Sequence, residues 1–412
     1  MNKTSWFVII LFYSTWLNGQ PGGVEKILVE LNEDQKDYSF IDTLLQDKKL
    51  VLLGEMDHGD GSSFKIKTDL IKYLHEELGY NTLLFESSFI NCNLLWSTIG
   101  DSTIFKDRIK NNIYFIWSEV EETKALFQYI EEQHRKGTPL RILGIDPQFS
   151  GEENTEEFFA LLNNALPPTI TTSKMFSDFI HELKIMSIWM KFPKKTDHRL
   201  TEKKFLSYCD TLLESIRNNE ELSTDLPLWE MYIDNLKVLG IIKRKRDRAS
   251  FESRDKQMYA NTTYWLNQYP QQKFIVWAAN AHIIRNDVIL KEQGNKHYLF
   301  GINKLGDYLH EDYSNDMYSI SFTSGKGATL DFLNPPNVNL IRNPPDNSLE
   351  GLMSGRKACF VDLKLLEDRM ALDQYDAQLF YTNVRCTAKW SRHFDGFIYI
   401  PEMFPSTPLW IK

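Results

Sequence analysis

The sequence is poor in cysteine. Four cysteines occur among 412 residues, and no two of them form a CxxC pair. Structural zinc sites usually draw their ligands from such closely spaced pairs, so the common zinc motifs are excluded. One disulfide in an oxidising compartment and four buried thiols are both compatible with this count. The cysteines are Cys92, Cys209, Cys359 and Cys386.

An excess of positive charge and long hydrophobic runs are also missing. Lysine and arginine number 47 against 56 aspartates and glutamates, which gives a formal net charge of -9. Non-specific binding of nucleic acid needs a concentrated positive surface, so no nucleic-acid partner is expected. The one basic run, residues 243–246, is predicted to be a solvated helix face. Beyond the N-terminal segment no stretch approaches about 18 uninterrupted apolar residues, so no membrane span is predicted in the mature chain.

A GxSxG motif is absent as well. This motif presents the nucleophilic serine of α/β-hydrolases on a sharp turn between a strand and a helix. Its absence disfavours a serine hydrolase, although 42% hydrophobic and 25% charged residues are typical of a globular protein that can bury a core.

The N-terminal segment has the character of an export signal. Lys3 precedes an apolar stretch from Trp6 to Leu17, and the turn-prone residues 18–20 follow it. The apolar part is too short to span a bilayer comfortably, as is usual for a cleaved signal peptide. We therefore predict a signal peptide over residues 1–19 and an exported protein, periplasmic or secreted, with one α/β domain over residues 20–412.

Seven short apolar, β-branched runs predict buried strands. Helical patterns separate the first four, and this alternation predicts an α/β fold with a central, largely parallel sheet flanked by helices. A helix is predicted over residues 62–78, ended by Gly79. Strand patterns disappear over about 152–268, which predicts a mainly helical insert or cap, and the Pro- and Asn-rich segment 334–354 predicts a long surface loop. The predicted strands are 50–53, 82–85, 140–145, 274–278, 318–322, 358–363 and 397–400.

A polar side chain follows each of the first four predicted strands. Glu55 and His58 follow the first strand, and Glu86, Asp146 and His282 follow the next three in turn. The carboxyl ends of parallel strands share one edge of a sheet, and α/β proteins bind their ligands there. These side chains are therefore predicted to converge on one site.

Each of these residues also has a purely structural interpretation. Glu55 could be a turn residue, Glu86 could belong to a structural ion pair, and His282 alone could be an ordinary residue at a strand end. His58 is more specific, because neighbouring carboxylates fix the tautomer of a histidine and raise its basicity. Lys67 is predicted on the core-facing side of its helix, where the ammonium could reach Glu55 or Glu86 or the stem could extend to solvent.

The order and spacing of these residues resemble the erythromycin esterase family. The likeness covers roughly residues 48–325 and begins with the segment Gly54-Glu55-x-x-His58-Gly59. Asp57 stands where the family usually has threonine, and Lys67 stands where it usually has arginine. Further matches are Phe85-Glu86, Trp117, residues 144–148, Arg254-Asp255, residues 277–282 and residues 303–306.

The resemblance implies a metal-independent hydrolase that needs no cofactor. In that case His58 is the general base that deprotonates water, and Glu55 and Glu86 orient the base or the water. His282 assists attack on the carbonyl or departure of the leaving group. Lys67 or main-chain N–H groups of residues 59–63 would stabilise the oxyanion. The substrate would be a small-molecule ester, macrolactone-like or otherwise bulky. The residues expected to bind it are Asp146, Gln148, Arg254, Asn280 and Trp117.

Two other classes of function fit the same residues. A metal-dependent hydrolase could use Glu55, His58, Glu86 and His282 as ligands of a divalent metal, since carboxylate and imidazole suit Mn, Fe or Zn. A non-catalytic protein of the same fold could bind haem or another ligand. Export makes an envelope or polysaccharide ester as reasonable a substrate as a macrolide antibiotic.

Overall fold

The computed structural model describes residues 28–31, 37–99, 105–151, 153–188, 192–292, 294, 300–370, 373–381 and 384–411. The predicted signal peptide, residues 1–19, lies outside these ranges, so export stays a prediction. Within the ranges, no helix is both long enough and apolar enough to cross a membrane.

A central sheet of eight strands and two small sheets of two strands each make up the β-structure of the described residues. All seven predicted strands are present, with ends shifted by a few residues. Five additional short strands, β1, β7, β8, β10 and β11, were not predicted. The strands are β1 Leu28–Glu30, β2 Leu50–Leu53, β3 Tyr80–Ser88, β4 Arg141–Asp146, β5 Lys273–Trp277, β6 Met317–Ser324, β7 Gly327–Leu330, β8 Val338–Ile341, β9 Cys359–Asp362, β10 Tyr375–Phe380, β11 Val384–Ala388 and β12 Gly396–Ile400.

The central sheet is mostly parallel, which confirms the predicted fold class. Its strand order is β1-β9-β12-β6-β2-β5-β3-β4, and the six strands from β12 to β4 run parallel to one another. β9 is antiparallel to β12, and β1 is antiparallel to β9. The strands that precede the predicted polar residues, β2, β5, β3 and β4, are therefore neighbours with their carboxyl ends at one edge.

Helices surround this sheet. The helix predicted over residues 62–78 is α2, and it ends at Gly79, whose φ of 71° lies in the left-handed region that glycine adopts at little cost. The helices are α1 Asp42–Leu45, α2 Gly61–Leu78, α3 Phe89–Ser97, α4 Phe105–Asn112, α5 Phe115–Ser118, α6 Lys124–Lys136, α7 Glu153–Ala165, α8 Pro168–Thr171, α9 Lys174–Ser187, α10 Glu202–Arg217, α11 Leu226–Ile242, α12 Arg248–Gln268, α13 Asn280–Ile283, α14 Asp287–Glu292, α15 Leu305–Tyr313, α16 Leu349–Leu352 and α17 Leu363–Met370.

The two faces of the sheet belong to two hydrophobic cores. Along β2, Leu50 and Leu52 join one core, whereas Val51 and Leu53 join the other. Successive side chains of a strand point to opposite faces, so a strand covered on both faces reads as a continuous apolar run. This explains why the run of four apolar residues in β2 identified a central strand.

Between β4 and β5 the described chain contains helices and no strand. Helix α12 contacts β4 and α15, and α7 contacts α3. These contacts bring Arg254 and Asp255, both on α12, to the edge of the sheet where β4 ends. The role of this helical region as a cap over a substrate stays a prediction.

Two local predictions are wrong. The segment 334–354 is not one surface loop, because it contains α16 and also β8, which pairs antiparallel with β7. The basic run 243–246 is not a solvated helix face. Lys243 is only 2% exposed and donates to the main-chain carbonyl of Ile188 at 3.0 Å, and Arg244 contacts the buried carboxylate of Glu182 at 2.5 Å.

Candidate active site

The polar residues at the strand ends meet around a cavity of about 110 Å³. Glu55 and His58 follow β2, Glu86 lies near the end of β3, and His282 lies on the short helix α13 directly after β5. Glu55 and Glu86 are buried and hold residues that line the cavity. The charged and titratable residues that line it are Asp57, His58, Arg254, Asp255, His282, Lys304 and Tyr381.

The carboxylate of Glu55 is fully buried and is held by four donors. Its Oε1 contacts Nδ1 of His58 at 2.9 Å and accepts the indole N–H of Trp117 at 3.1 Å. Its Oε2 accepts the ammonium of Lys67 at 2.7 Å and the indole N–H of Trp277 at 2.8 Å. Burial would raise the pKa of Glu55, but Lys67 and His58 outweigh it and keep that pKa below its usual value. Glu55 is therefore a fixed carboxylate that orients His58.

His58 presents its second ring nitrogen to the cavity. Nδ1 is bonded to Glu55, and within the described chain no hydrogen bond is made by Nε2. The ring also lies edge-on to Trp117, with centroids 5.4 Å apart, and its side chain is 23% exposed. Although burial opposes it, the carboxylates of Glu55, Glu86 and Asp57 raise the pKa of His58. This is the geometry of a general base with a fixed tautomer.

The turn that carries His58 packs closely against its neighbours at Gly54 and Gly59, where a larger residue would clash. A Cβ on Gly54 would lie 1.8 Å from Oδ1 of Asn280, and one on Gly59 would lie 2.2 Å from a carbonyl oxygen of β7. Asn280 in turn donates from its amide to the main-chain carbonyls of Phe322 and Leu379, each at 2.8 Å. Asn280 therefore joins strand ends.

Two further carboxyl groups lie in this turn. Asp60 is fully buried and accepts the N–H groups of Met56 and Asp57 at 2.9 and 3.0 Å. Burial and the nearby Asp57 raise the pKa of Asp60 well above its usual range. Asp57 accepts the hydroxyl of Thr329 at 3.1 Å, and its pKa is also raised, chiefly by burial. Asp57 thus adds an acidic group to the cavity wall at the position where the family usually has threonine.

At the same cavity, Arg254 bonds two carboxylates. Its Nη2 donates to Glu86 at 2.9 Å and to Asp146 at 2.5 Å, and its Nε donates to Asp146 at 3.3 Å. The other oxygen of Glu86 accepts the main-chain N–H of Ala279 at 2.9 Å. Burial opposes ionisation of Glu86, but His282 and Arg254 keep its pKa well below the usual value. Glu86 and Asp146 therefore fix the guanidinium at the cavity.

His282 is held between two carboxylates. Its Nδ1 contacts Asp255 at 2.7 Å and its Nε2 contacts Glu86 at 3.1 Å. Burial and Arg254 lower its pKa, but Asp255 and Glu86 outweigh them and raise the pKa of His282 to about 9. Nη1 of Arg254 also lies 3.0 Å from Nε2, and this contact is a hydrogen bond only when Nε2 is unprotonated; in the protonated ring, the Nε2–H bonds Glu86. At neutral pH two cations, Arg254 and His282, therefore line the cavity.

The oxyanion donors predicted from the sequence lie elsewhere. Lys67 is fully buried against Glu55 and does not line the cavity. In the predicted stretch 59–63, the N–H groups of Asp60, Gly61 and Ser62 already bond main-chain carbonyls. The expectation for Lys67 is corrected by the structure, and so is the expectation for these three N–H groups, because they are already committed within the fold. The positive charge at the cavity comes instead from Arg254 on α12, His282 on α13 and Lys304 before α15.

Only one of the five residues predicted to bind substrate lines the cavity, and that residue is Arg254. Asn280, Asp146 and Trp117 are buried, and each is bonded within the protein. Gln148 is half-buried and bonds both oxygens of Asp146. We correct the expectation for these four residues, since their polar groups support neighbouring residues and do not face the cavity.

The predicted alternative of a metal site does not fit this arrangement. In the described part of the chain, no group of three or more His, Cys, Asp or Glu side chains is placed to hold a metal ion. Both oxygens of Glu55 and Oε1 of Glu86 each bond two donors, and Oε2 of Glu86 bonds one, which leaves few lone pairs for a metal. The cavity is also smaller than about 300 Å³, the lower end for pockets of drug-sized ligands, so it would not enclose a haem.

Three residues of this site were not predicted as functional. Asp255, Trp277 and Lys304 lie in segments that resemble the family, but the sequence assigned no role to any of them. No signal in the sequence marks Asp255 as the partner of His282, because α12 and α13 are brought together only by the fold. Trp277 ends an apolar strand, so its sequence context predicts a core residue and does not reveal its bond to Glu55.

Comparisons with known proteins agree with this architecture. The family model described as erythromycin esterase matches residues 75–403. "Putative hydrolase YbfO" of Bacillus subtilis (strain 168) is 30% identical over 91% of this chain and 88% of its own length. "Erythromycin esterase type II" of Escherichia coli is 23% identical over 72% of this chain and 74% of its own length.

A solved structure shares the fold. The erythromycin esterase mutant EreC in its open conformation superposes with a TM-score of 0.63 at 15% identity, covering 92% of this chain and 96% of that one. The family match spans most of the chain, and the Bacillus subtilis relative spans nine-tenths of it. The chain therefore belongs to the erythromycin esterase family, and this membership supports its assignment as a hydrolase.

Proposed function

We propose that this protein hydrolyses an ester of a small molecule with a water molecule activated by His58 and without a covalent intermediate. The observation that carries the proposal is the pair of Glu55 and His58, in which Nδ1 is fixed at 2.9 Å and Nε2 is left at the cavity. A histidine in this state can take a proton from water. Among the described residues that line the cavity, His58 alone combines a free ring nitrogen with a fixed tautomer.

The proposed reaction gives different tasks to His58 and to the two cations Arg254 and His282. Nε2 of His58 takes a proton from water while the water oxygen attacks the ester carbonyl carbon. Arg254 and protonated His282 stabilise the negative charge that develops on the carbonyl oxygen through their positive charge, while their N–H groups stay bonded to Glu86, Asp146 and Asp255. The C–O bond to the alcohol then breaks, and the alkoxide takes up a proton that His58 or His282 supplies. Glu86, Asp146 and Asp255 act by positioning the cations.

The size of the cavity limits what enters it. A volume of about 110 Å³ holds an ester group and its immediate substituents. The bulk of a larger substrate, such as a macrolactone, would lie at the mouth of the cavity, where the helical region between β4 and β5 would act as a cap. The name of the Escherichia coli relative makes a macrolactone the first substrate to test. We also propose that the protein is exported, on the character of residues 1–19.

The test is mass-spectrometric detection of hydrolysis products. The mature protein would be incubated with a fourteen-membered macrolactone and with a panel of simple esters, each with and without a chelator. We expect hydrolysis of at least one ester at a rate that chelation leaves unchanged, because the proposed base is a histidine. Loss of hydrolysis on chelation would replace this proposal with metal-dependent hydrolysis. If the folded protein cleaves none of the esters, the proposed reaction is wrong, although the family membership still holds.

The pH dependence of kcat/KM should be bell-shaped. The acidic limb reports His58, whose pKa is raised above its usual 6.5, because a protonated ring cannot accept a proton from water. The basic limb reports His282, whose pKa is about 9, because its neutral ring no longer stabilises the oxyanion. Activity is therefore lost as the pH falls through the first pKa and as it rises through the second. The measurement is kcat/KM between pH 3 and pH 10 on the best ester of the panel.

A matched variant assigns the basic limb. His282→Gln keeps a donor at the ring position and cannot titrate, so its profile should lose the limb near pH 9. Persistence of that limb in His282→Gln would contradict the role given to His282. An acidic limb in the ordinary carboxylate range, near pH 4, would contradict the role given to His58.

A further inference from the structure

One cation at the cavity has no use in the reaction described so far. Lys304 lines the cavity and is only 3% exposed. It is the residue before α15, and its main-chain N–H donates to Oδ2 of Asp307 at 2.8 Å. The backbone position of Lys304 at the cavity is therefore fixed by the start of α15.

The ammonium of Lys304 is unpartnered. Within the described chain it makes no hydrogen bond and no ion pair. The carboxylates of Asp255, Asp287 and Asp307 attract it electrostatically but do not bond it. Because only 3% of the residue is exposed, this ammonium keeps less hydration than the ammonium of a surface lysine, although its N–H donors are unused. An acceptor that enters the cavity would recover that loss.

The other two cations at the cavity contrast with Lys304. Arg254 is bonded to Glu86 and Asp146, and His282 is bonded to Asp255 and Glu86. Their charges are met by carboxylates within hydrogen-bond distance. Lys304 alone keeps its donors available, so an entering anion would bond there first.

We propose that Lys304 binds a carboxylate carried by the substrate, close to the ester group that is cleaved at His58. The proposal rests on the proposed esterase function and names its substrate class: esters that bear a free carboxylate. A carboxylate fits better than a phosphate, because Asp57 and Asp255 line the same cavity and would repel a doubly charged group more strongly. A charge-assisted hydrogen bond of this kind changes affinity by about tenfold or more.

The test compares two matched esters. In mono-para-nitrophenyl adipate a carboxylate replaces the terminal methyl group of para-nitrophenyl hexanoate, so the two differ mainly in charge. The measured quantity is the ratio of kcat/KM for the adipate ester to that for the hexanoate ester, after subtraction of enzyme-free hydrolysis. In Lys304→Met this ratio should fall about tenfold or more, chiefly through KM for the adipate ester. Lys304→Arg keeps the charge and should retain part of the preference.

A control variant separates a local effect from a general one. Lys326 is 59% exposed in its side chain and pairs with Glu402 at 3.1 Å, so Lys326→Met should leave the ratio unchanged. If Lys304 only neutralises the nearby carboxylates, Lys304→Met would lower both kcat/KM values equally or lower the melting temperature alone. An unchanged ratio in Lys304→Met would overturn the proposal.

Direct binding distinguishes failure of this proposal from failure of the esterase function. Adipate itself would be titrated into the wild type and into Lys304→Met by calorimetry, which needs no hydrolysis. Binding of adipate by the wild type but not by Lys304→Met supports the carboxylate site, even if neither ester is cleaved. In that case the esterase function is the proposal that fails. If esters are cleaved, adipate does not bind and the ratio of kcat/KM is unchanged in Lys304→Met, the proposed role of Lys304 is wrong and the esterase function stands.

Discussion

Replacing His58 with alanine should lower kcat on the best ester of the panel by about a hundredfold or more, the usual scale for loss of a general base. The fold should survive this change, because the His58 side chain is 23% exposed and makes one hydrogen bond. Glu55 would still be held by Lys67, Trp117 and Trp277. KM should change little, since the proposed role of His58 is to activate water and not to bind the ester.

Added imidazole gives a readout that a structural role would not produce. The truncated side chain leaves space beside Glu55, and a free imidazole bound there could again accept the proton from water. We expect part of the lost rate to return as the imidazole concentration rises, and more of it at a pH where free imidazole is neutral. His181→Ala, on α9 and away from the cavity, serves as the matched control and should be as active as the wild type with no response to imidazole. A His58→Ala variant within threefold of the wild-type rate would contradict the mechanism.

The positions at the strand ends could be predicted from the sequence because they depend on local patterns. A continuous apolar run marks a strand covered on both faces, and the next polar residue marks its carboxyl end. Glu55, Glu86 and His282 stand out in this way. Their convergence followed from the parallel order of β2, β5, β3 and β4, which the alternation with helices had implied.

The role of each residue within the site could not be predicted, because burial and partners depend on the whole fold. Asn280 and Trp117 looked available for substrate, yet Asn280 joins strand ends and Trp117 bonds the buried Glu55. Lys67 was correctly predicted on the core-facing side of its helix, but whether its ammonium reaches a carboxylate or solvent was left open. In the fold it is completely buried and supports Glu55. A linear pattern does not tell whether a polar group faces a cavity or another side chain.

The small sheets were missed for a related reason. β8 is largely exposed and follows the pair Pro335-Pro336, so its composition predicts a loop. It becomes a strand only because β7 supplies an antiparallel partner. That pairing matters for the site, since β7 carries Thr329, which bonds Asp57 at the cavity wall.

The second large effect concerns stability. Lys67→Met should lower the free energy of unfolding by about 3–5 kcal/mol, the usual cost of leaving one buried charge without its partner. Both side chains of the Lys67 and Glu55 pair are fully buried, and the ammonium also lies 4.5 Å from the ring centroid of Trp277. Methionine fills similar space but offers no donor to Oε2. The melting temperature should fall on the order of 5 °C. Lys65→Met, at an exposed position of the same helix, is the matched control and should change it little.

The pH dependence and a double variant identify the pair as the cause. The folded-state pKa of Glu55 lies below its usual value, so the stability it contributes is present above that value and is lost as the pH falls through the folded pKa. The deficit of Lys67→Met should therefore be largest near neutral pH and shrink on acidification. The double variant Glu55→Gln/Lys67→Met removes both charges, so it should be more stable than the sum of the single effects predicts. A deficit independent of pH, with additive single effects, would mean that Lys67 contributes by packing, and Glu55 would then owe its ionised state to His58 and the two indole donors.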